Sequence, residues 1–359
     1  MSESSGQPAR RTCATMQQHF FLADTDPVYR DNRRSIELTT RSARLAARTT
    51  VIRIPVVVHV LFRTAAENID QAQIDSQIAA MNRDYRLLNA DRSGIPAPFS
   101  VFAADTLVEF ALAVRDPQGN PTSGVTRTQT SKTAFPYDPF DNQATQKLDA
   151  MIKFPGFGKA AWPRDSYLNL WTCTISGGLL GYAQFPGGPP ATDGVVIANT
   201  AFGSGGIARA PYNLGRTAVH EVGHWLNLLH IWGDDGGGCA GSDNVDDTPN
   251  QADSNGSEVR LSNFPHITCN NGPNGDMFMN YMDYVDDDTM LMFTKGQLRR
   301  MNATLDGPRA SLAGSSGLTP VSTPRLDAAA DERVRSVVGD ERGTDPTLEF
   351  DGVSWVPAT

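Results

Sequence analysis

The stretch TAVHEVGHWLNLLHIWGD, Thr217 to Asp234, carries three of the chain's six histidines within eleven residues. His220 and His224 are four residues apart, so on a helix they share one face, one turn above the other, and two imidazoles can reach one ion. Glu221 lies between them, beside such an ion without being needed as a ligand. His230 follows His224 by six residues, and at about 100° per residue a continuous helix would turn it away from that face. It joins the others only where the helix has already ended. Asn227 predicts that stop, because asparagine adopts the left-handed, helix-ending conformation more readily than other non-glycine residues. The stretch reads as two ligands on a helix, a turn, and a third ligand from the other side. Val219, Val222, Leu226 and Leu229 read as core. HExxH alone is compatible with an ordinary buried helix; the third histidine at this spacing weighs against that reading.

HEVGHWLNLLHIWGD resembles the metzincin zinc-peptidase pattern HExxHxxGxxH and is most similar to its pappalysin-like branch. Asn227 stands where most metzincins have glycine and tolerates the same backbone conformation. The resemblance covers residues 10 to 307. It implies an α/β (α+β) metzincin-like zincin fold: a twisted mixed sheet with helices, an active-site helix, and an irregular C-terminal subdomain with a methionine turn. Met282, within NYMDY, matches that turn, with a Met-rich packing patch as the bland alternative. For Tyr284 the resemblance implies a hydroxyl that binds the reacting carbonyl; simple packing is its alternative.

Three neutral imidazoles leave zinc an open position, the arrangement of a catalytic site. With Glu221 as general base, the implied activity is that of a secreted, zinc-dependent endopeptidase acting on protein or peptide substrates. Cys13, in RTCAT, resembles a pro-segment cysteine that occupies the open zinc position; a surface or disulfide-bonded cysteine is the alternative. Residues 1–50 are then a pro-segment, with activation by a cut between Thr40 and Thr50. Residues 51–307 form the catalytic domain, in an upper part 51–230 and a lower part 231–307, and 308–359 a flexible tail.

Asp288, six residues past Met282, is expected beside the primed-side specificity pocket, where a carboxylate favours cleavage before Arg or Lys. Asp286 and Asp287 compete for that role, as does a solvated acidic loop. Bonds preceding Arg41, Arg44 or Arg48 become candidate self-processing sites. GSDNVDDTPNQAD raises calcium as a structural ion, with Asp243, Val245 and Thr248 the leading oxygen donors and Asn244, Asp246 and Asp247 further candidates. Cys239 and Cys269 flank the loop-rich stretch after the zinc helix and are expected to pair. Relatives usually carry a second pair there, whose positions fall near Leu261 and Thr289. Cys173 reads as a buried thiol.

A chain of 359 residues, 40% apolar, can bury a sizeable core. Its net charge of −9 and pI near 5.2 weigh against nucleic-acid and anionic-membrane partners. No run approaches the length of a membrane span. The N-terminus lacks an h-region, which stands against the secretion that the resemblance implies. VIRIPVVVHVLFR predicts the clearest strand, with His59 a core residue; further strands are expected at 106–116, 166–175 and 193–202. Helices are expected at 69–89, behind Asp70, at 142–154 and at 293–305. GGLLGYAQFPGG suits an edge strand whose residues Leu180, Gly181 and Tyr182 could pair with substrate backbone, or a plain hairpin edge. Arg30 to Arg48, arginine-rich and without periodicity, reads as exposed. A non-peptide zinc hydrolase and a non-catalytic binding protein on the same fold are the rival readings.

Overall fold

The computed structural model describes residues 10–42 and 48–321, together with the backbone of two short strands at 348–350 and 355–357. The chain divides into two compact units at Pro320/Val321. In the second, β7 (Leu348–Phe350) pairs antiparallel with β8 (Trp355–Pro357).

The first unit is built on β1 (Ile52–Phe62). Its β-branched run loses little side-chain freedom in an extended chain, and Ile54, Val56, Val57, Val58 and Val60 are fully buried. β2 (Val108–Leu112) pairs with the first half of β1 and β3 (Val125–Gln129) with the second, while β4 (Leu168–Cys173) lines its other side, all in parallel. β6 (Val195–Ala198) continues in parallel beyond β4, and β5 (Gly181–Ala183) closes the sheet as an antiparallel edge.

Parallel strands need crossovers that cover both faces. On one face lie α3 (Gln71–Tyr85), through Ile74, Met81 and Tyr85, and α6 (Arg216–Trp225), through Val219 and Val222. On the other lies α5 (Ala144–Ile152), whose Leu148 and Ile152 pack with Trp171, Cys173 and Tyr182. Asp70 caps α3 by accepting from Gln73 N at 2.8 Å. The short α4 (Ala97–Ser100) precedes β2. His59 is buried, bonded to Thr126 and Asn169, as expected of a core residue. β3 carried no periodic apolar signal, because only partial burial shields it.

Between α6 and α7 (Lys295–Asp306) the chain is irregular, and the Cys239–Cys269 disulfide closes it, with Cα atoms 5.4 Å apart. Closing a loop of this size contributes about 3–4 kcal/mol by restricting the unfolded chain. α7 starts at Thr294, whose hydroxyl accepts from Gln297 N.

Two expectations are corrected. The stretch from Arg30 is exposed along most of its length, as expected, but it is not unpatterned: it continues α2 (Pro27–Ser42), which follows α1 (Thr15–Thr25) and docks on the body through a few side chains. Beyond Tyr29, the docking face of α2 leans on Arg33 and Glu37, charged residues that hid it. Arg33 lies buried over the Phe185 ring, and Glu37 binds Arg300 of α7 through two bonds of 2.7 and 2.9 Å. The tail also begins later than residue 308. Arg309 stacks 3.7 Å from the centre of the Trp225 ring and pairs with Asp193 at 3.0 and 3.1 Å, and Leu312 is buried. One arginine anchors a stretch whose composition looks flexible. Arg44 and most of the remaining tail lie outside the described residues.

Candidate active site

α6 begins at Gly215, whose φ of 81° suits glycine, and every residue from Arg216 to Trp225 is buried. Asn227 takes φ 75°, the left-handed turn that ends the helix, and the chain doubles back to bring His230 in. Each imidazole is aimed by its Nδ1. His220 donates to Tyr281 O at 2.7 Å, His224 to Leu228 O at 2.8 Å, and His230 meets the Asp234 carboxylate at 2.8 Å. Trp232 stacks flat on His230, 4.1 Å away.

With the Nδ1 protons committed, the three Nε2 atoms are bare acceptors facing one another. His224 Nε2 lies 3.1 Å from both His220 Nε2 and His230 Nε2. Burial, then the neighbouring imidazoles, hold His220 and His224 well below the usual histidine range. Lone pairs converging in a buried space call for a cation. Tetrahedral zinc, with bonds of about 2.0 Å, spreads its ligand atoms about 3.3 Å apart, and these residues fit it.

Glu221 sits beside this centre, 1% exposed, its pKa raised to about 7 mainly by burial. Gly181 of β5 lets the edge strand close on it: a Cβ there would lie 3.0 Å from Glu221 Cγ and 2.9 Å from Val196 O. Below the helix, Met282 is fully buried, and a Cβ on Gly223 would lie 2.5 Å from its Sδ. Glycine inside HEVGH is thus the residue that allows the methionine beneath. Tyr284 packs edge-on to His230, 5.0 Å away between ring centres.

The N-terminal segment runs through the cleft. Residues Thr12 to Ala14 pair in parallel with β5, Leu180 N donating to Thr12 O at 3.1 Å and Ala14 N to Gly181 O at 3.2 Å. Tyr182 points away, its hydroxyl on Asp149 at 2.8 Å. Cys13 stands with the three histidines, all four ligand atoms within 4.8 Å of one another. Its thiol donates to Glu221 at 3.3 Å, and burial and Glu221 push its pKa well up. Thr15 Oγ1 also donates to Glu221, at 2.9 Å, and the Tyr284 hydroxyl donates to Cys13 O at 3.4 Å.

Arg11 ends in a closed pocket. Its Nη2 meets Asp287 Oδ1 at 2.6 Å, Nη1 donates to Thr217 Oγ1 at 2.9 Å, Nε to Val285 O at 3.2 Å, and the guanidinium lies over Tyr212. Asp287 Oδ2 accepts from Leu214 N at 2.8 Å, near the positive end of α6. Of the three competing aspartates, the one that meets Arg11 is therefore Asp287, not Asp288. A turn bonded from Thr289 N to Asp286 O points Asp288 outward, 69% exposed and paired with Arg260 at 2.7 Å. Asp286 is held by Ser257 and Arg260.

In the 243–248 loop, Thr248 Oγ1 donates to Asp243 at 2.8 Å and contacts Val245 O at 3.0 Å, so these three candidates do come together. Burial raises Asp243 to about 7. The others turn elsewhere: Asn244 accepts from Arg41, Asp247 accepts from Thr294 and Gly296 at the start of α7, and Asp246 is exposed. Cys173 is a buried free thiol.

Sequence reading missed Arg11, Thr15, Thr217, Gly223 and Asp234. Asp234 was findable, since a carboxylate close behind a ligand histidine commonly orients it. The others act through contacts between distant parts of the chain.

The peptidase M43 family, described as pregnancy-associated plasma protein-A, matches residues 157–306. An extracellular metalloprotease of Pyricularia oryzae is 43% identical over 154 residues, 40% of this chain and 51% of the relative. This chain spans about half the length of the curated relatives it matches. Among solved structures, a mutant of Tannerella forsythia promirolysin superposes with a TM-score of 0.76 at 42% identity, covering 87% of this chain and 100% of that one. Mature mirolysin with a cleaved peptide gives 0.66 at 48% identity, over 74% and 97%. The fold, the histidine centre and these likenesses together make this chain a member of the pappalysin-like family of metzincin metalloproteases.

Proposed function

We propose that this chain is an extracellular zinc endopeptidase held latent by its own N-terminal segment and cutting proteins before arginine or lysine. The observation that carries the reading is the convergence of three imidazole Nε2 atoms beside a buried Glu221. Zinc held there supplies Lewis-acid polarisation of the scissile carbonyl and activation of water.

The chain's own groups do the rest. Glu221 takes a proton from the attacking water and passes it to the leaving amine. The Tyr284 hydroxyl, which already donates to a peptide carbonyl at Cys13, donates to the substrate carbonyl as its oxygen gains charge. Leu180 N and Gly181 O, bonded to the N-terminal segment, offer the same backbone groups to a substrate strand. Asp287 receives the basic side chain after the cut, as it receives Arg11.

Latency follows from occupancy: Cys13 stands where it would be a fourth ligand of zinc, Arg11 takes the pocket, and Thr12 to Ala14 the edge. Activation requires a cut before the catalytic domain, and the bonds preceding Arg41, Arg44 and Arg48 are its candidates. Calcium at Asp243, Val245 O and Thr248 would compensate a buried carboxylate; it predicts a melting temperature that rises with calcium and is lowered by a calcium chelator, an effect lost in Asp243→Asn. The extracellular location rests on the names of the metalloprotease relatives, and no helix among the described residues is long and apolar enough to cross a membrane.

The deciding experiment is mass spectrometry of peptides released from a denatured protein mixture by the activated chain. Cuts that vanish with Glu221→Ala and with a zinc chelator support the reading. An intact mixture after removal of residues 1–50 overturns it.

A further inference from the structure

Asp149 of α5 is 5% exposed and its two oxygens are used differently. Oδ1 takes the Tyr182 hydroxyl at 2.8 Å and the buried Lys153 ammonium at 2.8 Å. Lys153 is further fixed by Thr192 O at 2.7 Å and by the Trp171 and Tyr182 rings, so this half of the carboxylate belongs to the core. Oδ2 faces the N-terminal segment, and the donor on it is Gln18 Nε2 at 2.9 Å. The other end of that amide, Gln18 Oε1, is buried without a partner. Gln18 therefore fills the place without being matched to it.

The order of contacts along the segment locates this place in the cleft. Arg11 enters the Asp287 pocket, Cys13 meets the histidines, Thr15 Oγ1 accepts from Ala183 N at 2.7 Å, and Gln18 reaches Asp149. Asp287 and Asp149 thus hold the segment on either side of Cys13 along its sequence. When the segment leaves, Asp149 Oδ2 loses its donor above the edge strand, beside Leu148, against whose cluster Ala14 had packed.

The geometry points to a second specificity subsite at Asp149, taking an uncharged, hydrogen-bond-donating side chain from the part of the substrate that precedes the cut. It rests on the endopeptidase reading above. Lys153 sets the charge this place accepts: it neutralises Asp149, so an entering ammonium or guanidinium would be an unpaired buried charge, and an entering carboxylate would face Oδ2 directly. A carboxamide or hydroxyl supplies the missing donor at no such cost.

The test uses the activated chain and peptides with arginine after the scissile bond, scanning glutamine, methionine, glutamate and lysine through each of the four preceding positions. At one position glutamine raises kcat/KM about tenfold over methionine, glutamate and lysine, the scale of one hydrogen bond to a charged group. In Asp149→Asn the amide turns a donor toward the cleft, and the preference at that position moves to glutamate. A glutamine preference unchanged in Asp149→Asn overturns the assignment to this carboxylate. Equal rates at all four positions, with the peptides still cut, overturn the subsite and leave the endopeptidase standing. No cleavage of any peptide overturns both. The scan of the unsubstituted chain decides even where Asp149→Asn, which strips Lys153 of its counter-ion, fails to fold.

Discussion

Arg11 and Asp287, 276 residues apart in sequence, meet at 2.6 Å with both side chains shut off from solvent. A buried pair of this kind is costly to break, about 3–5 kcal/mol when one partner is removed, because the other charge is left uncompensated. On the proposed reading, the same carboxylate serves two occupants in turn, the chain's own arginine and a substrate's.

Asp287→Ala in the activated chain is expected to lower kcat/KM for peptides with arginine after the cut by about a hundredfold. It should leave peptides with an apolar residue there far less affected. Asp288→Ala should keep the basic preference, since that side chain points to Arg260. Cleavage profiling of the two variants checks this, and a loss of preference in Asp288→Ala alone would return the pocket to Asp288.

Cys13→Ala in the uncut chain removes the thiol from the histidine centre while Arg11 and Thr15 still hold the segment. Peptide hydrolysis by the uncut variant should exceed that of the unsubstituted chain by at least about tenfold, given the strength of a thiolate as a zinc ligand. Equal rates would show that occupancy by the backbone alone maintains latency.

Docking of the N-terminal helices should depend on pH through His19. Its ring meets the Tyr29 hydroxyl at 2.8 Å and packs edge-on to Phe185, and burial, then Arg33, lower its pKa to about 4, with Asp234 opposing. A depressed histidine pKa favours the docked state when the ring is neutral. Its contribution is full above about pH 6.5, the ordinary histidine value, and is lost as the pH falls toward the docked value. Hydrogen exchange of α1 amides, corrected for intrinsic rates, should show protection falling between pH 6.5 and 4.5, and a shallower fall in His19→Gln. Identical profiles would remove His19 from the account.

Gly223→Ala should destabilise the protein by about 1–3 kcal/mol, because the new methyl group meets Met282 Sδ in a closed core. Thermal unfolding measures it. Relief by Met282→Ala in the double variant would locate the clash at this pair.

The zinc stretch was legible because its information is local. Spacing puts His220 and His224 on one face, and Asn227 announces the turn that returns His230. The main strands and α3 were legible for the same reason, through period and capping. What stayed hidden depends on partners far away in sequence. α2 docks through Arg33 and Glu37, which read as surface until Phe185 and Arg300 are seen beside them. Asp287 and Asp288 are chemically identical neighbours, and the turn that aims one inward and the other outward comes from packing. Arg309 likewise ties down a stretch whose composition reads as loose.

The parallel pairing of Thr12 to Ala14 with β5 also bears on solubility. β5 is an outer strand, and a bare strand edge is a template on which other chains can assemble into sheets. With the N-terminal segment docked, Thr12 to Ala14 cap that edge and guard it against sheet-mediated aggregation. A chain cut free of this segment loses that self-supplied cover, and kept without substrate it should aggregate sooner than the uncut one.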